Sequence, residues 1–224
     1  MASTKLRVIV TGLIAQYPLG GVAWDYLQFI IGLQQLGHDV YYFEDSGQWP
    51  YNPVERVIVK EDCTFNVEYL ANLMGRFGLQ RKWAYCFPLQ TQWFGLEETE
   101  RVNAINTADL LVNISGCLDQ PGAYRQIPRL VYIDSDPMFT QIRLVQGPSP
   151  VRDQVNAHDI HFSYGECLST AVPKTGHHWI PTRQPIVLSE WNSGMPHRNA
   201  FTTVMNWTSY NDVTYQGKTY GQKD

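Results

Sequence analysis

A strand, a glycine-bearing loop, a helix and a second strand follow one another within the first 43 residues, and this order limits the fold more than any other feature of the sequence. Residues 6–11 (LRVIVT) are apolar and β-branched, as in a strand buried on both faces. Residues 12–21 form a loop holding Gly12, Gly20 and Gly21. Residues 22–36 place Ala23, Leu27, Ile30 and Ile31 on one helical stripe, with Gln28, Gln34 and Gln35 at polar positions. Gly37 stands where a left-handed residue commonly ends a helix. Residues 39–43 (DVYYF) then read as a second strand. A unit of this kind winds right-handed and makes its two strands parallel.

The alternation continues. Residues 66–77 have Leu70, Leu73, Met74 and Phe77 at helical spacing, closed by Gly78. Residues 80–95 are aromatic-rich and read as irregular. Residues 97–106 open with Glu97, Glu98 and Glu100, which suit a helix N-terminus. Further strands are expected at 108–114, 129–133 and 160–164, with a short one at 178–180. Together these predict an α/β fold: an open, mostly parallel sheet with helices on both faces, Rossmann-like. Residues 181–200 are broken by prolines, serines and Gly194. The expected organisation is a domain over 1–183, a linker over 184–200, and the start of a second domain over 201–224. Within the last, 201–207 reads as a strand and 213–220 as a hairpin arm or loop.

Composition narrows the functional classes. The 224 residues carry 17 Lys and Arg against 21 Asp and Glu, a net charge of −4. That balance argues against a general nucleic-acid binder, which needs a basic face to displace counterions. No apolar run is long enough for a membrane-spanning helix. Cys63, Cys86, Cys117 and Cys167 are scattered without C-x-x-C spacing, as reduced thiols are. Sequons at Asn113 and Asn206 fall in expected strands and carry no weight for glycosylation. A cytoplasmic location is expected.

In an open parallel sheet, ligands bind beyond the carboxyl ends of the strands. That rule nominates Gly12 and the Gly20-Gly21 pair after the first strand, and Ser115, Gly116 and Cys117 after the strand at 108–114. It also nominates Asp134, Ser135 and Asp136 after 129–133, and Gly165 and Glu166 after 160–164. The glycine pair could let backbone N–H groups approach a phosphate at a helix N-terminus, or could simply be a tight turn. G-x-G-x-x-G is absent, and so is G-x-x-x-x-G-K-S/T, which excludes a P-loop nucleotidase. Asp134 and Asp136 could hold a divalent cation, although Asp136-Pro137 is also a natural turn. His158 and His161 would face opposite sides of a strand, and no metal site is expected. Cys117 reads as a buried core thiol rather than a nucleophile. Trp83, Tyr85, Phe87, Trp93 and Phe94 could line an acceptor groove or form a satellite core.

Pro18-Leu19-Gly20-Gly21-Val22, followed by an amphipathic helix and Leu33-Gln34-Gln35-Leu36-Gly37-His38-Asp39-Val40, resembles the opening of the GT-B-fold glycosyltransferases. The likeness covers about the first 45 residues by motif. Beyond them it is an agreement of α/β alternation. It implies an N-terminal domain that holds the acceptor, and a C-terminal domain that grips a nucleotide-sugar donor as co-substrate. It also implies no resident cofactor or metal. Gly20 and Gly21 would lie beside the donor diphosphate. Ser115, Gly116, Gly165 and Glu166 would bind substrate, with Asp134 and Asp136 as the catalytic carboxylates. The sequence departs from the family in lacking an E-x7-E donor motif and a His in the first loop. The chain is therefore expected to be an acceptor-side half, without most of its donor domain and inactive alone. The alternative is a non-catalytic Rossmann-like module for a small ligand or a protein partner. A nucleotide-dependent enzyme of the same sheet class is a third reading, against which the missing fingerprint tells.

Overall fold

The computed structural model describes residues 4–88, 92–166, 172–191, 200 and 212–221. In chain order the first elements are β1 (Arg7–Thr11), α1 (Gly20–Gln35), β2 (Asp39–Glu44), the short β3 (Tyr51–Asn52) and β4 (Val57–Ile58), and α2 (Thr64–Arg76). Next come β5 (Trp83–Phe87), β6 (Gln92–Gly95), α3 (Glu98–Asn106), β7 (Leu110–Ile114) and β8 (Leu130–Asp134). Then follow α4 (Pro137–Val145), α5 (Pro150–Asn156), β9 (Ile160–Tyr164), β10 (Trp179–Thr182), β11 (Val213–Tyr215) and β12 (Lys218–Tyr220).

Eight strands form one sheet in the order β10-β9-β8-β7-β1-β2-β5-β6. Every neighbouring pair is parallel except β5 with β6, which is antiparallel. The chain starts mid-sheet at β1, moves outward to β5, then returns to the other side of β1 at β7. This reversal makes β1 and β7 the topological switch point of a Rossmann-like sheet. The expected fold class is what the molecule adopts.

Strand alternation decides which side chains face which layer. Val8, Val10, Val40 and Tyr42 point to the face covered by α1 and α2, where Leu27, Ile30, Leu70 and Met74 meet them. Ile9, Phe43 and Leu111 point to the opposite face, against Ala104 of α3 and Tyr124. Tyr132, Leu144 and Val155 extend that second layer under α4 and α5. The buried apolar residues of α1 (Ala23, Tyr26, Leu27, Ile30 and Ile31) recur at three- and four-residue steps, the stripe expected of a helix with one covered face; Gln28, read as a polar position, is buried beside them and accepts the Val187 N–H. Gly37 ends it with φ +92°.

Several elements depart from the sequence reading. Residues 80–95 are not irregular: β5 and β6 form an antiparallel hairpin at the sheet edge. All five β5 residues are buried, so no polar alternation marked the strand. Trp83, Tyr85 and Phe87 accordingly sit in the main core. Asp136-Pro137 is a turn, but one that starts a helix, because proline is suited to the first helical position. Ser149 likewise caps α5, its Oγ accepting the Arg152 N–H at 3.2 Å. The short strand expected at 178–180 is β10 and runs to Thr182, and described residues of the region read as linker pack along α1. Gln184 Nε2 donates to the Asp25 carbonyl at 3.0 Å, Val187 N–H to Gln28 Oε1 at 2.6 Å, and the Trp191 ring lies tilted at 41° against Trp24 with centroids 5.3 Å apart. Beyond it, β11 and β12 form a hairpin held to α4 by Gln146 Nε2 donating to the Thr214 carbonyl at 2.7 Å. The expected strand at 201–207, Asn206 and Cys167 lie outside the described residues. Among the described residues no helix is long and apolar enough to cross a membrane.

Candidate functional site

A cleft of about 650 Å³ opens beyond the carboxyl ends of β1, β7 and β8, at the switch point. Its floor is the turn after β7. Ser115 and Gly116 are both left-handed, at φ +58° and +63°. A Cβ on Gly116 would lie 2.9 Å from the Tyr132 hydroxyl, so only glycine fits there. Ser115 Oγ lies 2.6 Å from Ser135 Oγ, which joins the β7 and β8 turns. Aromatic walls come from Tyr17, Tyr26, Tyr132, Phe139 and Tyr164.

Asp134 closes β8 and lines the cleft, yet it is 1% exposed. Its Oδ1 accepts the Asp136 N–H at 3.0 Å, whereas its Oδ2 has no hydrogen-bond partner. Burial raises its pKa to about 6; the nearby Thr140 and Ser163 hydroxyls and the Asp136 N–H oppose the rise, and the Asp136 charge adds to it. Asp136 lies at the N-cap of α4 and also lines the cleft. The other ionisable side chains on the lining are Asp25 at its rim and Arg143 of α4.

The remaining nominated residues lie elsewhere. Gly20 and Gly21 form the first turn of α1, exposed and outside the cleft lining. A Cβ on either meets nothing within 4 Å. Gly165 and Glu166 also lie outside the lining, and Glu166 is ion-paired with Arg183. The glycine demanded by packing after β1 is Gly12, where a Cβ would come within 2.7 Å of the Tyr26 ring.

Sequence reasoning missed Glu44, the last residue of β2, which is wholly buried. Its Oε2 accepts the Ala15 N–H at 2.8 Å and the Tyr42 hydroxyl at 2.7 Å, and its Oε1 accepts the Gln16 N–H at 2.5 Å. Tyr42 in turn accepts the Ile14 N–H at 3.0 Å. Tyr17 N–H donates to the Leu13 carbonyl, and Asn66 Nδ2 holds the Ala15 carbonyl at 2.7 Å. The N–H groups from Ile14 to Tyr17 are thus all occupied within the protein. This loop is not a phosphate cradle of the kind a dinucleotide fingerprint makes. Burial raises the Glu44 pKa to about 7 against those same hydrogen bonds.

A second buried network braces the floor. Asn113 Oδ1 accepts from Thr11 Oγ1 at 3.0 Å and from the Leu118 N–H at 3.2 Å. Its Nδ2 lies 3.1 Å from His158 Nε2, and His158 Nδ1 lies 2.7 Å from the Gln154 carbonyl. Burial pulls the His158 pKa down to about 4, so the ring is neutral: Nδ1 donates and Nε2 accepts. Asn113 is inaccessible as a glycosylation acceptor in the fold. Cys117 Sγ lies 3.3 Å from Thr11 Oγ1 and burial pushes its thiol up to about 12, so it is a core group and no nucleophile.

The histidines correct one geometric expectation. His158 precedes β9 rather than lying within it, so its ring and that of His161 both reach carbonyls of α5. The His177 ring lies 4.9 Å from that of His161. Among the described residues, no three His, Cys, Asp or Glu side chains group as metal ligands would. Against this geometry, comparison with protein families, with curated proteins and with solved structures finds no match for this chain.

Proposed function

We propose that this chain is the acceptor-side domain of a nucleotide-sugar-dependent glycosyltransferase of the GT-B class, and that the switch-point cleft receives the acceptor. The observation that carries the reading is Asp134: a buried carboxylate at the end of β8, among the residues that line the cleft. A pKa raised to about 6 leaves it mostly ionised at neutral pH, and still basic enough to accept a proton.

The acceptor hydroxyl attacks the anomeric carbon of the donor sugar and forms the new glycosidic bond. Its proton passes to Asp134. The bond to the nucleoside diphosphate breaks, and the diphosphate leaves with the electron pair. The charge of Asp136 favours a proton on its neighbour, while the Asp136 N–H on Asp134 Oδ1 orients the carboxylate and works against that proton. Ser115 and Ser135 offer hydroxyls for orienting the acceptor. The donor belongs to a second domain on this reading. Its diphosphate would meet the first turn of α1, at Gly20 and Gly21, because the N–H groups from Ile14 to Tyr17 are already taken.

Release of nucleoside diphosphate from a panel of nucleotide sugars tests the proposal, using the full encoded protein with its donor-side domain, since on this reading the acceptor-side domain alone is inactive. The expected result is turnover with at least one donor, and a loss of about 10²–10⁴-fold in kcat for Asp134→Asn with KM little changed. Turnover in Asp134→Asn at the parent rate would remove Asp134 from the chemistry, and silence with every donor would remove the reading itself.

A further inference from the structure

Rings are concentrated around the cleft. Five of its 20 lining residues are aromatic, Tyr17, Tyr26, Tyr132, Phe139 and Tyr164, against 13% over the chain. They come from five separate places: the loop after β1, then α1, β8, α4 and β9. Tyr26 and Tyr132 are buried and expose little of their rings, whereas Tyr17, Phe139 and Tyr164 are half-buried and expose more. The aromatic stretch singled out in the sequence supplies none of these, since Trp83, Tyr85 and Phe87 belong to the core.

Many polar side chains of the lining are already bonded within the protein. Ser115 and Ser135 share one hydrogen bond at 2.6 Å. The Tyr164 hydroxyl donates to Gln184 Oε1, and Gln184 Nε2 donates to the Asp25 carbonyl at 3.0 Å. Gln154 Nε2 donates to the Leu118 and Asp119 carbonyls at 2.6 and 2.9 Å. Asp134 accepts the Asp136 N–H, with the Thr140 and Ser163 hydroxyls beside it. Asp25, Asp136 and Arg143 put charges of both signs on the lining, so an ion of either sign meets a like charge there. A polyol gives up water at every hydroxyl on entering such a space, and each hydroxyl left unpaired weakens binding about tenfold. A flat apolar ring gives up no hydrogen bond and gains ring contacts. The serine pair, with the Tyr26 hydroxyl beside Ser115, has donors and acceptors enough to orient one guest hydroxyl, but not a whole sugar ring of them.

We propose that the cleft takes an aromatic hydroxyl compound as its acceptor: a flat, uncharged ring system that bears the reacting hydroxyl. The ring lies against Tyr17, Phe139 and Tyr164, and its hydroxyl meets the serine pair next to Asp134. The inference rests on the acceptor reading of the same cleft and names the class of that acceptor.

Three uncharged alcohols separate ring character from size and polarity: naphthol, its saturated counterpart decalol, and glucose. Each is titrated into the protein at neutral pH, with backbone chemical shifts locating the site and heat giving the affinity. Naphthol is expected to bind roughly 2–10-fold more tightly than decalol, the margin that ring pairing adds beyond buried area. Glucose is expected to bind at least ~10-fold more weakly than either. The shifts should centre on the cleft lining. Tyr17→Leu and Tyr164→Leu should each remove most of the aromatic margin and leave decalol affinity within about twofold. The ranking on the parent protein carries the test even where a leucine variant fails to fold. Decalol binding as tightly as naphthol, glucose binding as tightly as either, shifts centred outside the cleft, or no binding at all overturns the proposal. Failure of the transferase reading is seen separately. If naphthol is selected in the cleft but no donor is turned over, the preference for a ring stands and the glycosyltransferase assignment falls. If donors are turned over with glucose as the best acceptor and naphthol is inert, the reverse holds.

Discussion

Two turns on the same carboxyl edge of the sheet each end in a buried acid, and they have opposite characters. After β1, the loop folds back onto Glu44, whose two oxygens accept three donors. After β8, Asp134 accepts one N–H and keeps an oxygen bare. Both carboxyls are raised by burial, to about 7 and about 6. Burial and titration therefore do not separate these two acids, whereas hydrogen-bond satisfaction does. The saturated carboxylate fixes the loop after β1; Asp134, with fewer donors on it, stands among the residues that line the cleft.

The sharpest way to break the comparison is to empty the saturated side. Glu44→Ala leaves the Ala15 and Gln16 N–H groups and the Tyr42 hydroxyl without their acceptor in a dry interior. At about 1–3 kcal/mol for each buried group left unpaired, a net loss of about 3–5 kcal/mol is expected. Denaturant unfolding of the variant should show the midpoint falling at unchanged slope. A loss under about 1 kcal/mol would mean that the loop does not need its clamp.

The unsaturated side should respond in the opposite direction. The folded pKa of Asp134 lies above the ordinary 3.8, so the folded state binds its proton more tightly than the unfolded chain does. Its contribution to stability is full below the unfolded value and is lost as pH rises toward 6. A shift of this size amounts to about 1–3 kcal/mol at neutral pH. Asp134→Asn removes that cost, so the variant should be more stable than the parent at pH 7 by about 1–2 kcal/mol and show little or no gain at pH 4. Thermal unfolding at the two pH values checks both the size and the sign. A destabilised variant at pH 7 would show that Asp134 holds the fold as Glu44 does. The gain would also show that any lost turnover in this variant is not lost folding.

The strand–helix–strand start was legible because its signals are local: β-branched runs for β1 and β2, an apolar stripe for α1, and Gly37 at the end. The edge hairpin was not, because β5 is buried throughout and lacks the two-residue alternation that marks a half-exposed strand. The helix α4 was hidden behind a turn, since Pro137 stops a strand and starts a helix equally well. Asp134, Ser115 and Gly116 were nominated by the rule that ligands gather at carboxyl ends, a consequence of topology rather than of any motif, and they do line the cleft. Glu44 escaped because its partners lie 28 and 29 positions earlier in the chain. The bare oxygen of Asp134 escaped for the same reason: whether a group is satisfied is a property of space, not of sequence.

Glycines give the smallest test and the one closest to the sequence reading. Gly12 and the Gly20-Gly21 pair are both nominated after the first strand, but only the pair carries a phosphate reading. In the structure a Cβ at Gly20 or Gly21 meets open space, and neither residue has a left-handed φ. Both lie in the first turn of α1, where alanine is the better helix former. Gly20→Ala and Gly21→Ala should each leave stability unchanged or raise it by less than about 1 kcal/mol. Gly12→Ala forces a Cβ to within 2.7 Å of Tyr26 and 2.8 Å of the Tyr42 hydroxyl. That collision disturbs the same tyrosine that links Ile14 to Glu44, so the change should cost about 1–3 kcal/mol as overpacking does. Measured in one denaturation series, the three substitutions ask whether glycine after β1 serves packing or ligand approach. If Gly20→Ala or Gly21→Ala abolishes donor turnover while stability holds, the pair is there for a phosphate. If all three differ only in stability, and only Gly12→Ala falls, the glycine that matters is the one under the loop, and the diphosphate is held elsewhere.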